Sequence, residues 1–259
     1  MEEQLPIQAL PGIPTSDFVH FPLKPNTPDT HPIRLLHLQP ATGYYAPIRC
    51  TLEHVDLSPN LQFKALSYVW GDPSITLPIF VDDKPYHVTA NCHAALLRLR
   101  EVQEFILWID AICINQRDED EKTIQIGMMA DVYYFASEVI IWLGVSEADR
   151  KPDQKENERL AIRLIDCLFQ LETERKNHSF EHYLQVTEGT TDVQDQWLAF
   201  SSLTKHGWFE RLWVLQETVV AKTSRALFQF EDVSFNRIQA AAQKVLSYYQ
   251  RDPAFRDLI

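Results

Sequence analysis

Glycine is scarce in this chain, with only seven among 259 residues. The sequence contains no P-loop, no G-x-G-x-x-G and no G-x-S-x-G. Those motifs depend on glycine because the backbone must approach a phosphate closely or turn sharply beside a nucleophile. Their absence counts against kinases, dinucleotide-dependent dehydrogenases and esterases.

Paired cysteines and long apolar runs are lacking as well, and the 24 lysines and arginines are outnumbered by 36 acidic residues. The formal net charge of -12 argues against nucleic acid as a main partner, because phosphate binding needs a basic surface. The four cysteines are far apart and form no C-x-x-C, which favours a reduced setting, cytoplasmic or nuclear, over a disulfide framework. No apolar run approaches 18 residues and no signal peptide is evident, so we expect no membrane span.

Proline, by contrast, is concentrated at the N-terminus, where residues 1–32 contain seven of the fifteen prolines. This composition predicts an extended arm over residues 1–32. The apolar and periodic segments that follow predict an α/β domain over residues 33–259. Charged and polar stretches interrupt that domain and predict an insertion over about residues 146–196.

The central stretch of the chain, residues 105–144, alternates buried and amphipathic patterns. An apolar run over 105–114 is interrupted by Asp110, and an acidic cluster at 118–121 then opens a segment with helical period. A second apolar run over 138–143 follows. A buried strand, a helix and another buried strand predict a parallel crossover unit, in which ligands bind at the carboxyl ends of the strands.

Extending this pattern predicts a flavodoxin-like, mainly parallel sheet flanked by helices. Its strands would be residues 63–70, 105–114 and 138–143. The alternating segments 33–38 and 48–57, with a hairpin over 79–88, predict added antiparallel strands on the N-terminal side.

The segment 197–220 is rich in aromatic and apolar residues with helical period, and it contains the carboxylate Glu217. A carboxylate in such a helix lies on an exposed face, at a cleft, or in a salt bridge with a neighbour such as Arg211. The sequence leaves these alternatives open.

Three stretches together resemble the fungal heterokaryon-incompatibility (HET) domain. They are ALSYVWGD at 65–72, WIDAICINQ at 108–116 and WFERLWVLQE at 208–217. The resemblance implies a role in non-self recognition and programmed cell death in filamentous fungi. It also implies self-association or an upstream activator protein as the partner, and it does not decide between a signalling module and an enzyme.

A fainter resemblance concerns TIR domains, whose enzymatic members cleave NAD at the nicotinamide bond. Leu66-Ser67-Tyr68, followed by Asp72, is similar to the end of their first strand. Their catalytic glutamate lies in W-x-x-E, whereas here one residue more separates Trp213 from Glu217, a shift of about 100° around a helix. The resemblance implies Glu217 as the catalytic residue and NAD as a substrate, with no bound cofactor.

The candidate substrate-binding residues lie at predicted strand ends or in the third stretch. Asp110 could bind ribose or cap a loop, the amides could bind a carboxamide or fix a loop, and the aromatic rings could stack on a ligand or pack in the core. Asp72 has the further interpretation of a turn residue. The full set is Ser67, Tyr68, Trp70, Asp72, Asp110, Asn115, Gln116, Arg211 and Trp213, and no metal site is predicted.

Overall fold

The structure is a computed structural model that describes residues 17–23, 30–41, 43, 45–100, 105–173 and 193–251. The chain divides into two compact units. The first unit consists of residues 1–66 and 70–137, and the second consists of residues 67–69 and 138–259. Most of the predicted N-terminal arm lies outside the described residues, but Phe18 is buried and its N–H donates to the Pro85 carbonyl at 2.9 Å.

The described residues of the first unit include six strands, in the spatial order β5-β4-β2-β1-β6-β3. They are β1 Pro32–Leu38, β2 Arg49–Asp56, β3 Lys64–Ser67, β4 Thr76–Val81, β5 Lys84–Thr89 and β6 Phe105–Trp108. Strand β1 is antiparallel to β2 and to β6, and β4 is antiparallel to β5. Only β2–β4 and β3–β6 are parallel in this part.

The predicted α/β class is therefore confirmed, but the described β-structure is mixed and does not match the predicted mainly parallel, flavodoxin-like sheet. Two pairs of strands follow one another through short connections, which join antiparallel neighbours. Strand β1 also lies beside β6, where a parallel crossover design would place another parallel strand. The expected antiparallel strands at 33–38 and 48–57 and the hairpin at 79–88 are confirmed.

The hairpin turn between β4 and β5 uses two aspartates in the left-handed region. Asp82 has φ 48° and Asp83 has φ 63°. Two consecutive positive φ values match a type I′ turn, whose twist suits the flanking strands. Aspartate tolerates this conformation better than most residues because its short polar side chain bonds locally.

The helices of the first unit are α1 Ala90–Leu99, α2 Asp110–Cys113, α3 Glu119–Gly127 and α4 Met129–Phe135. The predicted strand over 105–114 is too long, because residues 110–113 form a helical turn. Asp110 Oδ1 accepts the Ala111 N–H at 2.7 Å, and the Cys113 N–H donates to the Ile109 carbonyl at 2.7 Å. Asp118 caps α3, as the acidic cluster predicts, by accepting the Glu121 N–H at 3.0 Å.

In the core of the first unit, Trp108 is fully buried. Its ring meets the Tyr133 ring edge-on at 5.7 Å between centroids, and the Tyr133 hydroxyl donates to the Leu66 carbonyl at 3.2 Å. Helix α4 is thereby held against β3 and β6. The expected burial of Trp108 is confirmed, as is that of Trp142 in the second unit.

The described part of the second unit has three strands in the order β7-β8-β9 and four helices. They are β7 Glu138–Trp142, α5 Gln154–Thr173, α6 Val193–Thr204, α7 Val214–Val219, β8 Ser224–Leu227, β9 Asp232–Ser234 and α8 Phe235–Arg251. Strand β7 pairs with β8 in parallel, and β9 pairs with β8 antiparallel.

The predicted continuous helix over 197–220 is wrong, because three short pieces replace it. Helix α6 ends at Thr204, a 3-10 turn covers Gly207–Glu210, and α7 begins at Val214. The break occurs where His206 takes extended backbone angles and accepts the Trp208 N–H at 3.2 Å, so that it caps the turn. Among the described helices, none is long and apolar enough to cross a membrane.

Candidate functional site

A buried cluster in the second unit joins the first and third of the sequence stretches. We call it the Glu217 cluster, and it consists of Ser67, Trp208, Arg211 and Glu217. The Ser67 hydroxyl donates to Glu217 Oε2, and Trp208 Nε1 donates to Ser67 Oγ at 2.7 Å. Arg211 Nη2 donates to Glu217 Oε1 at 2.9 Å, and Arg211 Nη1 donates to Oε2 at 3.4 Å.

The local backbone explains why these side chains meet. The 3-10 turn at Gly207–Glu210 buries Trp208 completely, with its ring edge-on to Phe209 and Phe235. The chain then reverses into α7, where the Glu217 N–H donates to the Trp213 carbonyl at 3.1 Å. His206 supports the turn, and its burial lowers the pKa of the imidazole, which also hydrogen-bonds the backbone of Gly144.

The cluster is closed to solvent except through its arginine. The Glu217 side chain is 1% exposed, and the Arg211 side chain is 22% exposed. Both carboxylate oxygens already accept hydrogen bonds, so a ligand can reach Glu217 only by displacing Arg211. In this arrangement the cluster fixes the position of α7, since a buried ion pair with good geometry resists separation.

Helix α7 has the reverse of the usual polarity. Its buried residue is Glu217, while large apolar side chains on the helix and directly before it are exposed. We call these side chains the α7 patch: Leu212 is 80% exposed, Trp213 47%, Leu215 60% and Val219 76%. Leu215 and Val219 lie at i and i+4 within the helix, which places them on one helical face, and Leu212 and Trp213 directly precede it.

A second group of predicted residues meets in the first unit around Asp110. Trp70 Nε1 donates to Asp110 Oδ2 at 2.8 Å, and Gln116 Nε2 donates to the Asp110 carbonyl at 2.8 Å. Asn115 Oδ1 accepts the Arg117 N–H at 3.2 Å. Asp110, Asn115 and Gln116 therefore hold the loop after α2, which is one of the two interpretations that the sequence leaves open.

Asp72 and Tyr68 are two further predicted site residues, and each matches its structural interpretation. Asp72 is exposed and accepts both the N–H and the hydroxyl of Ser74, which lower the pKa of its carboxyl. That contact matches the turn interpretation. Tyr68 is 1% exposed, which favours core packing, whereas Trp70 is 39% exposed.

Sequence reasoning missed Arg34, which is fully buried in β1. Its guanidinium donates to both carboxylate oxygens of Glu121, at 2.6 and 2.9 Å. It also donates to the carbonyls of Cys113 at 2.9 Å and Phe21 at 2.6 Å. Glu121 therefore binds an arginine as well as opening α3, and a charge inside the apolar run IRLLHL was the available signal.

Trp208 was likewise missed as a site residue, although it lies in the third stretch. Its indole N–H donates to a serine 141 positions away in sequence, and no local spacing encodes such a contact. The described residues contain no group of three or more His, Cys, Asp or Glu that could hold a metal ion.

Comparison with known proteins matches residues 63–217 to the family model described as Heterokaryon incompatibility protein (HET). The chain is 31% identical over 228 residues to Heterokaryon incompatibility protein 6, OR allele, of Neurospora crassa. That match covers 73% of this chain and 32% of the relative, so the chain spans about a third of the relative's length. No solved structure matches the chain significantly.

Proposed function

Because the chain belongs to the heterokaryon incompatibility family, we propose that it is an effector domain of fungal non-self recognition that triggers cell death by self-association. The observation that carries the mechanism is the reversed polarity of α7. The helix buries its carboxylate and presents the α7 patch to solvent.

Exposed apolar side chains that are close together in sequence, on α7 and directly before it, support this proposal. Single exposed leucines are ordinary, but a contiguous apolar patch is typical of protein–protein contact surfaces. Burying the patch against a second copy removes apolar area from water, at about 25 cal/mol per Å². The Glu217 cluster contributes by holding α7 so that this face cannot rotate inward.

The test in cells uses a charge within the patch and a matched charge outside it. Leu215→Glu places a carboxylate in the middle of the α7 patch, where Leu215 is 60% exposed. Leu198→Glu is the control, because Leu198 is 62% exposed on α6 and lies outside the patch. We expect overexpressed wild type and Leu198→Glu to kill fungal cells and Leu215→Glu to leave them viable. Equal killing by all three proteins at equal abundance would refute the patch as the effector surface.

A second candidate function, NAD cleavage, is favoured by the meeting of Ser67, Arg211 and Glu217 in one cluster. In this reaction the bond between nicotinamide and ribose breaks, and its electron pair leaves with nicotinamide. Water adds to the anomeric carbon, giving ADP-ribose and a proton. A fixed carboxylate would stabilise the positive charge that develops on the ribose.

Access to Glu217 is the requirement that this candidate must meet. The ribose would have to displace Arg211, the partly exposed member of the pair. Nicotinamide release from NAD, followed by chromatography at high protein concentration, measures the activity. We expect Glu217→Gln to abolish release and Leu215→Glu to reduce it if assembly opens the cluster. Absence of release from assembled wild type would eliminate NAD cleavage and leave the association proposal standing.

A further inference from the structure

We propose that the first unit contains a binding pocket for a nucleoside 5′-monophosphate, independent of the function proposed for α7. The pocket has a volume of about 450 Å³ and lies among the N-terminal segment, β5 and the loop after α2. This volume falls within the range of about 300–1,000 Å³ that small-molecule sites occupy. The lining residues that bear on the argument are Asp17, His20, Trp70, Asn115, Gln116 and Arg117.

One wall of the pocket is a rigid aromatic group. The rings of Phe18, His20 and Tyr86 meet edge-on, with centroids 5.0 to 5.9 Å apart. His20 Nε2 donates to the Ile112 carbonyl at 2.7 Å, and the Tyr86 hydroxyl donates to the Ala111 carbonyl at 3.0 Å. Burial lowers the pKa of His20, so this wall is uncharged at neutral pH.

Trp70 provides a flat surface at the pocket. Its indole N–H, the only polar group of the ring, is fixed by Asp110 Oδ2, while the residue as a whole is 39% exposed. An exposed ring held in one orientation is suited to stacking on a base, because little freedom is lost when the ligand binds.

The backbone binds the side-chain amides of Asn115 and Gln116 through opposite ends, the oxygen of one and the nitrogen of the other. Asn115 Oδ1 accepts the Arg117 N–H, which leaves its NH₂ group as a donor. Gln116 Nε2 donates to the Asp110 carbonyl, which leaves its Oε1 as an acceptor. Within the described residues neither remaining group has a hydrogen-bond partner. A donor beside an acceptor matches the edge of a nucleobase.

Charged residues at the pocket match the remaining parts of a nucleotide. The Arg117 side chain is exposed and forms no ion pair among the described residues, and a guanidinium binds phosphate through two parallel hydrogen bonds. Asp17 supplies a carboxylate, the group that binds ribose hydroxyls in many nucleotide sites. Stacking surface, amide pair, carboxylate and guanidinium therefore correspond to base, ribose and phosphate.

Isothermal titration calorimetry with AMP, GMP, CMP and UMP tests this pocket directly. Adenosine and inorganic phosphate are the partial ligands. We expect saturable binding of at least one monophosphate, and binding of its nucleoside weaker by about tenfold because the charge-assisted contact to Arg117 is lost. Phosphate alone should not bind. If none of the monophosphates saturates, the pocket is not a nucleotide site.

Two matched variants distinguish a specific contact between Arg117 and the phosphate from a general effect of removing one positive charge. Arg117→Gln should weaken the monophosphate by about tenfold and leave the nucleoside unchanged, since only the phosphate loses its partner. Arg159→Gln removes the same charge from α5, where Arg159 pairs with Glu156, and should change neither. Equal effects of the two substitutions would overturn the assignment. Leu215→Glu should bind the nucleotide as wild type does, so failure here is distinct from failure of the association proposal.

Discussion

Arg211 and Glu217 form an ion pair whose members differ in exposure, with side chains 22% and 1% exposed. Removing Arg211 leaves a buried carboxylate without its cation, whereas removing Glu217 leaves a guanidinium that water can reach. We expect Arg211→Ala to destabilise by about 3–5 kcal/mol. Glu217→Ala should destabilise by about 2–3 kcal/mol, since hydration compensates part of the lost charge-assisted bonds.

Urea denaturation of the two variants at neutral pH measures this difference. Leu198→Glu is a suitable control, because it changes an exposed side chain of the same unit. If Glu217→Ala is as destabilising as Arg211→Ala, or more so, the difference in burial between the two side chains does not determine the cost of removing each one.

His206 makes stability depend on pH. Burial holds the pKa of His206 below its ordinary value of 6.5, so the unfolded chain binds a proton more readily than the folded one. The stability that depends on neutral His206 is therefore complete above pH 6.5. It falls as the pH drops from 6.5 toward the lower pKa of His206 in the folded state. His206→Asn keeps an acceptor for the Trp208 N–H and removes the titration.

Urea midpoints between pH 7.5 and pH 5 should consequently fall less steeply in His206→Asn than in wild type. A residual slope is expected, because burial also lowers the pKa of His20 and His54. Identical slopes for the two proteins would show that His206 does not contribute.

At the scale of elements, Arg34 connects β1 with the carboxyl end of α2 and, through Glu121, with α3. Lysine keeps the charge but cannot reproduce the two parallel bonds to Glu121. Arg34→Lys should destabilise by about 1–3 kcal/mol, the cost of leaving buried polar groups without their hydrogen bonds. Arg49→Lys in β2 is the matched control, since its pair with Asp83 is exposed and should change stability by less than about 1 kcal/mol.

Thermal and urea unfolding of these two variants give the comparison. Glu121 adds a pH signature, because burial favours its neutral form but hydrogen bonds from Arg34 and Asn115 outweigh that and lower the pKa of its carboxyl. The stability that ionised Glu121 contributes is complete above pH 4.5, the ordinary pKa of a glutamate side chain. It is lost as the pH falls from 4.5 toward the lower pKa of the folded state. An Arg34→Lys variant as stable as wild type would contradict the role assigned to the contact between Arg34 and Glu121.

Periodicity was sufficient to find most elements but not their arrangement. The alternation in 33–38 and 48–57 and the Asp82-Asp83 turn predicted antiparallel strands correctly. The apolar run Ala111–Ile114 predicts a strand, but residues 110–113 form a helical turn, because a short buried apolar run fits either element equally well. The antiparallel pairing of β1 with β6 joins residues about 70 positions apart, for example Leu36 with Leu107, and no local pattern encodes it.

The candidate site was predictable in its members more than in its geometry. The motif resemblance selected Ser67, Arg211 and Glu217, which do meet, and the sequence also included an Arg211–Glu217 salt bridge among the alternatives. The sequence did not predict that α7 is a short helix or that its apolar side chains are exposed. That orientation depends on Trp208 and His206, whose contacts form only when the turn at 207–210 is folded.

For the whole molecule, the net charge of -12 opposes association between copies, while burial of the α7 patch favours it. Salt screens the repulsion over a Debye length of about 10 Å at 0.1 M and leaves the apolar term in place. Self-association should therefore strengthen as salt rises, which is the reverse of an assembly held by surface ion pairs.

Light scattering after size-exclusion chromatography, over a range of protein concentration at low and high salt, tests self-association through the α7 patch most directly. The account predicts that wild type and Leu198→Glu increase in mass with protein concentration, and more so at high salt. Leu215→Glu should stay monomeric throughout with unchanged thermal unfolding. A wild type that remains monomeric at all concentrations and salts, or a Leu215→Glu protein that assembles as wild type does, would contradict it.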